Sequence, residues 1–297
     1  MPDGRPWTID EVARGARDFA WPAHDGTIFP GLVWEADGTP RAHVLCIHGL
    51  SGAAADFGPL GRKLSADGCS VWAINLRGQG HDPDHGRRGH FLDPREWRAD
   101  LAAFAEAHLG EDVPFFLVGE SMGSLVAVDA VANGALRPER LVLSVPVTEI
   151  RAPVPDWILA LMRKAACVAP RFKLAPMRFV HGKTSIPRLT ADDEYMAYLR
   201  TIPHRVRGFT LGFLSRFHDL MQEAPQNAAR IAVPTLMLSG GRDVFIRPDQ
   251  SRAFFECLGC AEKEYRFYPD SHHLLWHDVD SQDVLERIVH WIMKGLP

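Results

Sequence analysis

The stretch Pro114-Phe115-Phe116-Leu117-Val118-Gly119-Glu120-Ser121-Met122-Gly123-Ser124-Leu125 decides how the chain is read. Pro114–Val118 is an apolar run of strand length, and the run that follows, Leu125–Ala132, is helical in character. Between them stands Gly119-Glu120-Ser121-Met122-Gly123, a G-x-S-x-G. Set between a strand and a helix, this pattern is a turn too tight for side chains at its flanking positions, and its strain lifts the central hydroxyl into the open. A serine hydroxyl is a poor nucleophile at neutral pH. It needs a histidine to take its proton and a carboxylate to hold that histidine's tautomer.

Working outward, similar apolar runs recur at Ala42–Ile47, Cys69–Leu76, Leu141–Val145, Pro234–Leu238 and Tyr265–Tyr268. They are continuous rather than alternating, as strands covered on both faces are. Helical patterns separate them, most clearly over Asp93–Leu109, where Trp97, Leu101, Phe104 and His108 recur at helical spacing. This alternation predicts an α/β fold with a mostly parallel central sheet flanked by helices. Asp25-Gly26, between Phe19–Gly26 and Thr27–Glu35, predicts an antiparallel hairpin that opens the sheet. The regularity breaks from Pro146 to Ile231. No strand-like run occurs there, and helices are expected over Asp156–Val168 and Arg205–Met221. The chain therefore reads as a core in two parts, 1–145 and 232–297, interrupted by a helical cap at 146–231.

Open α/β sheets place their sites outside the carboxyl ends of the strands, and after a G-x-S-x-G turn the partners follow in the order acid, then histidine. Asp243, in Ser239-Gly240-Gly241-Arg242-Asp243, follows one strand; His272 and His273, in Asp270-Ser271-His272-His273, follow the next. Asp270 and Asp278 compete as the acid, but both lie so near the histidines in sequence that the contact would need a cramped loop. Spacing alone leaves His272 and His273 open. An oxyanion needs two backbone donors: the N–H of Met122, just after the serine, and one from the loop Ile47-His48-Gly49-Leu50-Ser51-Gly52. Leu50 is the expected donor, with His48 bracing the loop.

Taken together, His48-Gly49-Leu50-Ser51-Gly52, Arg77-Gly78-Gln79-Gly80-His81, Gly119-Glu120-Ser121-Met122-Gly123-Ser124, Gly240-Gly241-Arg242-Asp243 and Ser271-His272-His273-Leu274-Leu275 resemble the α/β-hydrolases of the monoacylglycerol lipase and lysophospholipase type, also called serine aminopeptidase-like. The resemblance spans about residues 25–295. Its terminal motif, S-x-H-x-L, falls on Ser271, His273 and Leu275, which implies His273 as the base, and it implies Leu50 and Met122 as oxyanion donors. The implied activity is that of a serine ester hydrolase on a monoacylglycerol, lysophospholipid or similar ester, through a Ser121–Asp243–His273 triad and an acyl-enzyme, with no cofactor. Two rivals share these residues: a serine aminopeptidase or thioesterase, and a ligand-binding protein of hydrolase fold with negligible turnover.

The remaining composition narrows the partners. The chain has 297 residues, 46% apolar and 24% charged, which suits a packed globular protein and excludes a disordered one. Its net charge of −4 is uneven: residues 151–230 hold 13 Lys and Arg against 6 Asp and Glu, leaving 20 against 31 elsewhere. A basic cap can meet an anionic lipid surface or simply form a solvated rim. Likewise Trp157, Ile158, Leu159, Leu161 and Met162, with Phe209, Phe213 and Phe217, can line an acyl tunnel or pack the cap on the core. An acidic chain with no aromatic-interleaved basic motif is not expected to bind nucleic acid. Five cysteines suit a reducing compartment, and Cys257-Leu-Gly-Cys260 reads as structural thiols. The His81, Asp82, Asp84, His85, His90 cluster matches no metal-ligand spacing, so no metal is expected. Without a leader or a long apolar span, the chain reads as soluble and cytoplasmic.

Overall fold

In the computed structural model, residues 8–91, 93–110, 112–151, 154–174 and 186–296 are described. A short helix α1 (Ile9–Val12) leads into the hairpin β1 (Arg17–Pro22) and β2 (Ile28–Trp34), paired antiparallel. Its turn follows from the sequence: Gly26 takes φ +78°, a conformation that favours glycine, and Asp25 Oδ1 accepts the Thr27 N–H. The core then alternates β3 (Ala42–Ile47), α2 (Gly58–Ala66), β4 (Cys69–Ile74), α3 (Pro94–His108), β5 (Phe115–Glu120), α4 (Met122–Ala132) and β6 (Arg140–Ser144).

Between β6 and the next core strand lie α5 (Asp156–Val168), the two-residue strands β7 (Lys173–Leu174) and β8 (Phe209–Thr210), α6 (Asp193–Thr201) and α7 (Leu211–Ala229). The core resumes with β9 (Thr235–Gly240), α8 (Pro248–Cys257), β10 (Lys263–Tyr268) and α9 (Ser281–Met293). The eight-stranded sheet runs β1-β2-β4-β3-β5-β6-β9-β10, parallel from β4 onward, with helices on both faces. This is the α/β-hydrolase fold. One apolar cluster joins Leu117, Leu125, Phe104 and Phe213; on the other face a second joins Val118, Leu60, Trp276 and Ile288.

Three expectations need correction. The insertion does contain strands: β7 and β8 form a small antiparallel ribbon, too short to leave a sequence pattern. The second long cap helix starts at Leu211 rather than Arg205 and continues past Pro225 to Ala229, because Thr210 caps it by accepting the Phe213 N–H. Finally, no residue of α5 is buried: Trp157 is 69% exposed and Leu161 60%, so these side chains line no closed tunnel here, whereas Phe209 and Phe213 are packed into the core. Among the described residues, no helix is long and apolar enough to cross a membrane.

Candidate active site

Ser121 stands between β5 and α4 with φ +55° and ψ −118°, strained backbone for a residue with a Cβ. What permits the turn is glycine on either side. A Cβ on Gly119 would lie 2.6 Å from the Gly123 carbonyl oxygen, and one on Gly123 only 2.1 Å from that of Ile47. The turn is pinned from below: Ser121 N–H donates to Ser144 O (2.8 Å), and the Ser124 hydroxyl donates to Gly119 O (2.7 Å). Met122 opens an eleven-residue helix, so its N–H has no intrahelical acceptor.

The loop after β3 passes directly over this serine. A Cβ on Gly49 would sit 3.0 Å from Ser121 Cβ and 3.5 Å from its Oγ. His48, fully buried, holds that loop, and its tautomer can be assigned: Leu76 N–H donates to Nε2 (3.1 Å), so Nδ1–H donates to Gly49 O (2.8 Å). Burial keeps the ring neutral, with its pKa lowered to about 4. One residue beyond Leu50, Ser51 adopts φ +62°. Its N–H donates to Gln79 Oε1 (3.0 Å) and its hydroxyl to Val206 O (2.8 Å), tying the loop to both the Arg77–Gly80 turn and the insertion.

Asp243 and His273 come together at the ends of β9 and β10. Asp243, with no exposed surface, accepts from Phe245 N–H (2.7 Å) and Ile246 N–H (3.2 Å) at Oδ1, and meets His273 Nδ1 at 2.7 Å with Oδ2. Because that carboxylate can only accept when ionised, Nδ1 carries the proton and Nε2 is left as the basic nitrogen. Phe245 packs edge-on against the imidazole at 4.9 Å, and His273 N–H donates to Leu189 O (3.0 Å). His272 turns away into a separate pair: its Nδ1 lies 3.0 Å from Asp278 Oδ2. Asp270 is exposed and engages Arg242 at 2.6 Å. The competing acids therefore serve other partners.

Some polar residues around the serine were not foreseen. Asp56 and Glu120 are buried carboxylates on the sheet face that also carries Trp276 and His277, and Arg151 donates to Asp243 O (2.6 Å). Ser121 itself is only 8% exposed, and the Gly49 loop lies directly against it. The His81–His90 group does not converge: the His81 ring lies tilted against His204 at 4.3 Å, Asp82 accepts from Gly78 and Asp84 N–H, and His90 meets Thr210. Among the described residues no group of three or more His, Cys, Asp or Glu is arranged to hold a metal ion.

A strained serine beneath a glycine loop, at the carboxyl edge of a mostly parallel eight-stranded sheet, defines an α/β-hydrolase. More particularly, the model of the family described as serine aminopeptidase, S33, matches residues 38–280, and the chain belongs to that family. The monoacylglycerol lipase of Mycolicibacterium smegmatis is 25% identical over 270 residues, 89% of this chain and 92% of that relative. The phospholipase YtpA of Bacillus subtilis is 24% identical over 86% of this chain and 95% of its own length. In three dimensions the chain resembles a soluble variant of the Saccharomyces cerevisiae monoglyceride lipase in complex with a substrate analogue, with TM-score 0.80 and 20% identity over 98% of both chains.

Proposed function

We propose that the protein is a serine carboxylic-ester hydrolase acting on monoacylglycerols, lysophospholipids or similar esters. Ser121 attacks the ester carbonyl, His273 Nε2 takes its proton and passes it to the departing alcohol, and Asp243 holds the imidazole in the tautomer that leaves Nε2 basic. The Leu50 and Met122 N–H groups bind the oxyanion. Water, activated by the same histidine, then releases the acid. The observation that carries this reading is the 2.7 Å Asp243–His273 contact, in which two further backbone donors fix the carboxylate, on the sheet edge that also presents the strained Ser121. Relatives named as lipases, a phospholipase and a caffeoylshikimate esterase support ester chemistry.

Residues 146–231 act as a cap that must move for substrate to reach the buried serine. Support for contact with a lipid surface comes from α5 and the segment after it. Trp157, Leu161, Val168 (87% exposed) and Phe172 (59% exposed) stand in solvent, with Lys164, Arg171 and Lys173 along the same segment. Arg178 and Lys183, also in the basic stretch, lie outside the described residues. The test is direct. A fluorophosphonate probe should label the wild-type protein, and Ser121→Ala should lose both labelling and p-nitrophenyl ester hydrolysis; labelling that survives the substitution overturns the proposal.

A further inference from the structure

Immediately before the nucleophile, Glu120 buries its carboxyl with only 2% of the residue exposed, and its Oε1 has no hydrogen-bond partner. Such an atom is costly to leave unmade. A second carboxylate lies on the same flank: Asp56 accepts from Ala53 N–H (2.8 Å) and from the Tyr195 hydroxyl (3.3 Å). Tyr198, whose ring is 5.4 Å from that of Tyr195, is likewise buried, and its hydroxyl too is unpartnered. Burial and the repulsion of Asp56 push the Glu120 carboxyl well above the usual carboxylate range, while burial pushes Asp56 up to about 6. The cation coupled to Asp56 is Arg205, yet its guanidinium donates to the Leu199 carbonyl at 3.0 Å. Among the described residues, no cation forms a hydrogen bond or ion pair with either acid.

The position of this cluster decides which end of a substrate it faces. Asp56 O accepts from Trp276 Nε1 (3.0 Å) and His277 Nε2 (2.8 Å), and Tyr195 stacks on His277 at 3.8 Å. Leu189, at the start of the segment leading to α6, accepts from both His273 and Leu274 N–H. Glu120 thus adjoins the nucleophile in the chain, and Asp56 holds the Trp276–His277 segment that follows His273, the residue proposed to protonate a departing alcohol. Two carboxyls beside two tyrosine rings are the chemistry that recognises ammonium.

Building on the serine-hydrolase proposal, we propose that Glu120, Asp56, Tyr195 and Tyr198 form a leaving-group subsite that accepts a protonated amine, so that esters of amino alcohols are preferred substrates. The unpartnered Oε1 of Glu120 then gains its donor from the ammonium. The two carboxyls come from the core, while the two tyrosines come from α6 of the insertion.

The experiment compares kcat/KM for 2-(dimethylamino)ethyl butyrate with that for 3-methylbutyl butyrate, its neutral isostere, in wild type and Glu120→Gln. A charge-assisted hydrogen bond corresponds to a preference of about 10- to 100-fold. Wild type should show it, and Glu120→Gln should bring the ratio near one. Tyr198→Phe, which deletes only an unpartnered hydroxyl, should lower the same ratio and carries the test where Glu120→Gln fails to fold. A wild-type ratio near one overturns the subsite, as does a ratio that both variants retain. So does a preference found only with the amine on the acyl side, in ethyl β-alaninate over ethyl butyrate. If wild type turns over neither ester and takes no fluorophosphonate, it is the hydrolase proposal that has failed.

Discussion

Replacing Asp243 with Asn tests the proposed proton path with almost no change of shape. Oδ1 accepts two backbone N–H groups, from Phe245 at 2.7 Å and Ile246 at 3.2 Å, so the amide of an Asn must turn its oxygen toward them. Its NH2 then faces His273 Nδ1, now 2.7 Å from Oδ2, as a donor. The ring can accept that hydrogen bond only by moving its proton to Nε2, where a base is needed. A wrong tautomer of this kind lowers kcat by about 10⁴-fold. Stability should change far less: two hydrogen bonds to an ionised acceptor become neutral, costing about 1 kcal/mol, or roughly 2–4 °C in Tm. The assay is kcat for p-nitrophenyl butyrate beside a thermal melt, with Asp278→Asn as the parallel variant. Because Asp278 serves His272, its substitution should cost less than about tenfold. Loss of activity in Asp278→Asn with Asp243→Asn nearly intact would refute the reasoning and move the base to His272.

Gly49→Ala sets a methyl 3.0 Å from Ser121 Cβ and 3.3 Å from Glu120 O, so the loop must shift, and kcat should fall about 10- to 100-fold while the melt barely moves; unchanged kcat would mean the loop does not face the reacting centre. Trp157→Asp with Leu161→Asp removes exposed apolar surface from α5. It should lower turnover of monoacylglycerol in phosphatidylglycerol vesicles at least about tenfold more than turnover of a dissolved short ester; equal losses argue against docking. Asp56→Asn gives a pH signature. The unfolded Asp loses its proton near 3.8 and the folded one near 6, so wild type loses stability as pH rises through that window and the neutral Asn does not. The Tm of the variant relative to wild type should therefore rise from pH 4 to pH 7; a pH-independent difference contradicts a raised folded pKa.

The positions of the central parallel strands were legible because β3, β4, β5, β6 and β9 are buried on both faces. Continuous apolar runs mark them, and Ala42–Ile47 coincides with β3 residue for residue. The hairpin was legible from one dipeptide, since Gly26 at φ +78° and the Asp25 side chain make the turn by themselves. The insertion was less so. Its ribbon is two residues per strand, and apolar residues at helical spacing do not reveal whether a neighbour covers them. Trp157 and Phe213 look alike in sequence, yet one is 69% and the other 1% exposed. That difference is set by which helix reaches α4, a fact of tertiary packing.

Within the site, legibility followed backbone constraint. Gly49, Gly119, Gly123 and Gly240 announce themselves because backbone from elsewhere approaches within van der Waals distance of each; a Cβ on Gly240 would lie 2.0 Å from His272 O. Asp243 and His273 were located by strand order, and the adjacent His272 stayed ambiguous because both histidines leave β10 together. Spacing did not separate them; the family resemblance pointed to His273, and in the structure the two pair with different carboxylates, His273 with Asp243 and His272 with Asp278. Glu120 and Asp56 gave no signal at all. The first occupies a position that the G-x-S-x-G pattern leaves free, and the second precedes a helix, where an acid is ordinarily a solvated or capping residue. What makes them unusual is that the β5 turn and the Ala54–Phe57 turn bury them on the same flank. Recognition that depends on two distant turns meeting leaves no local pattern, and for that reason substrate selection is harder to read from this sequence than the chemistry it serves.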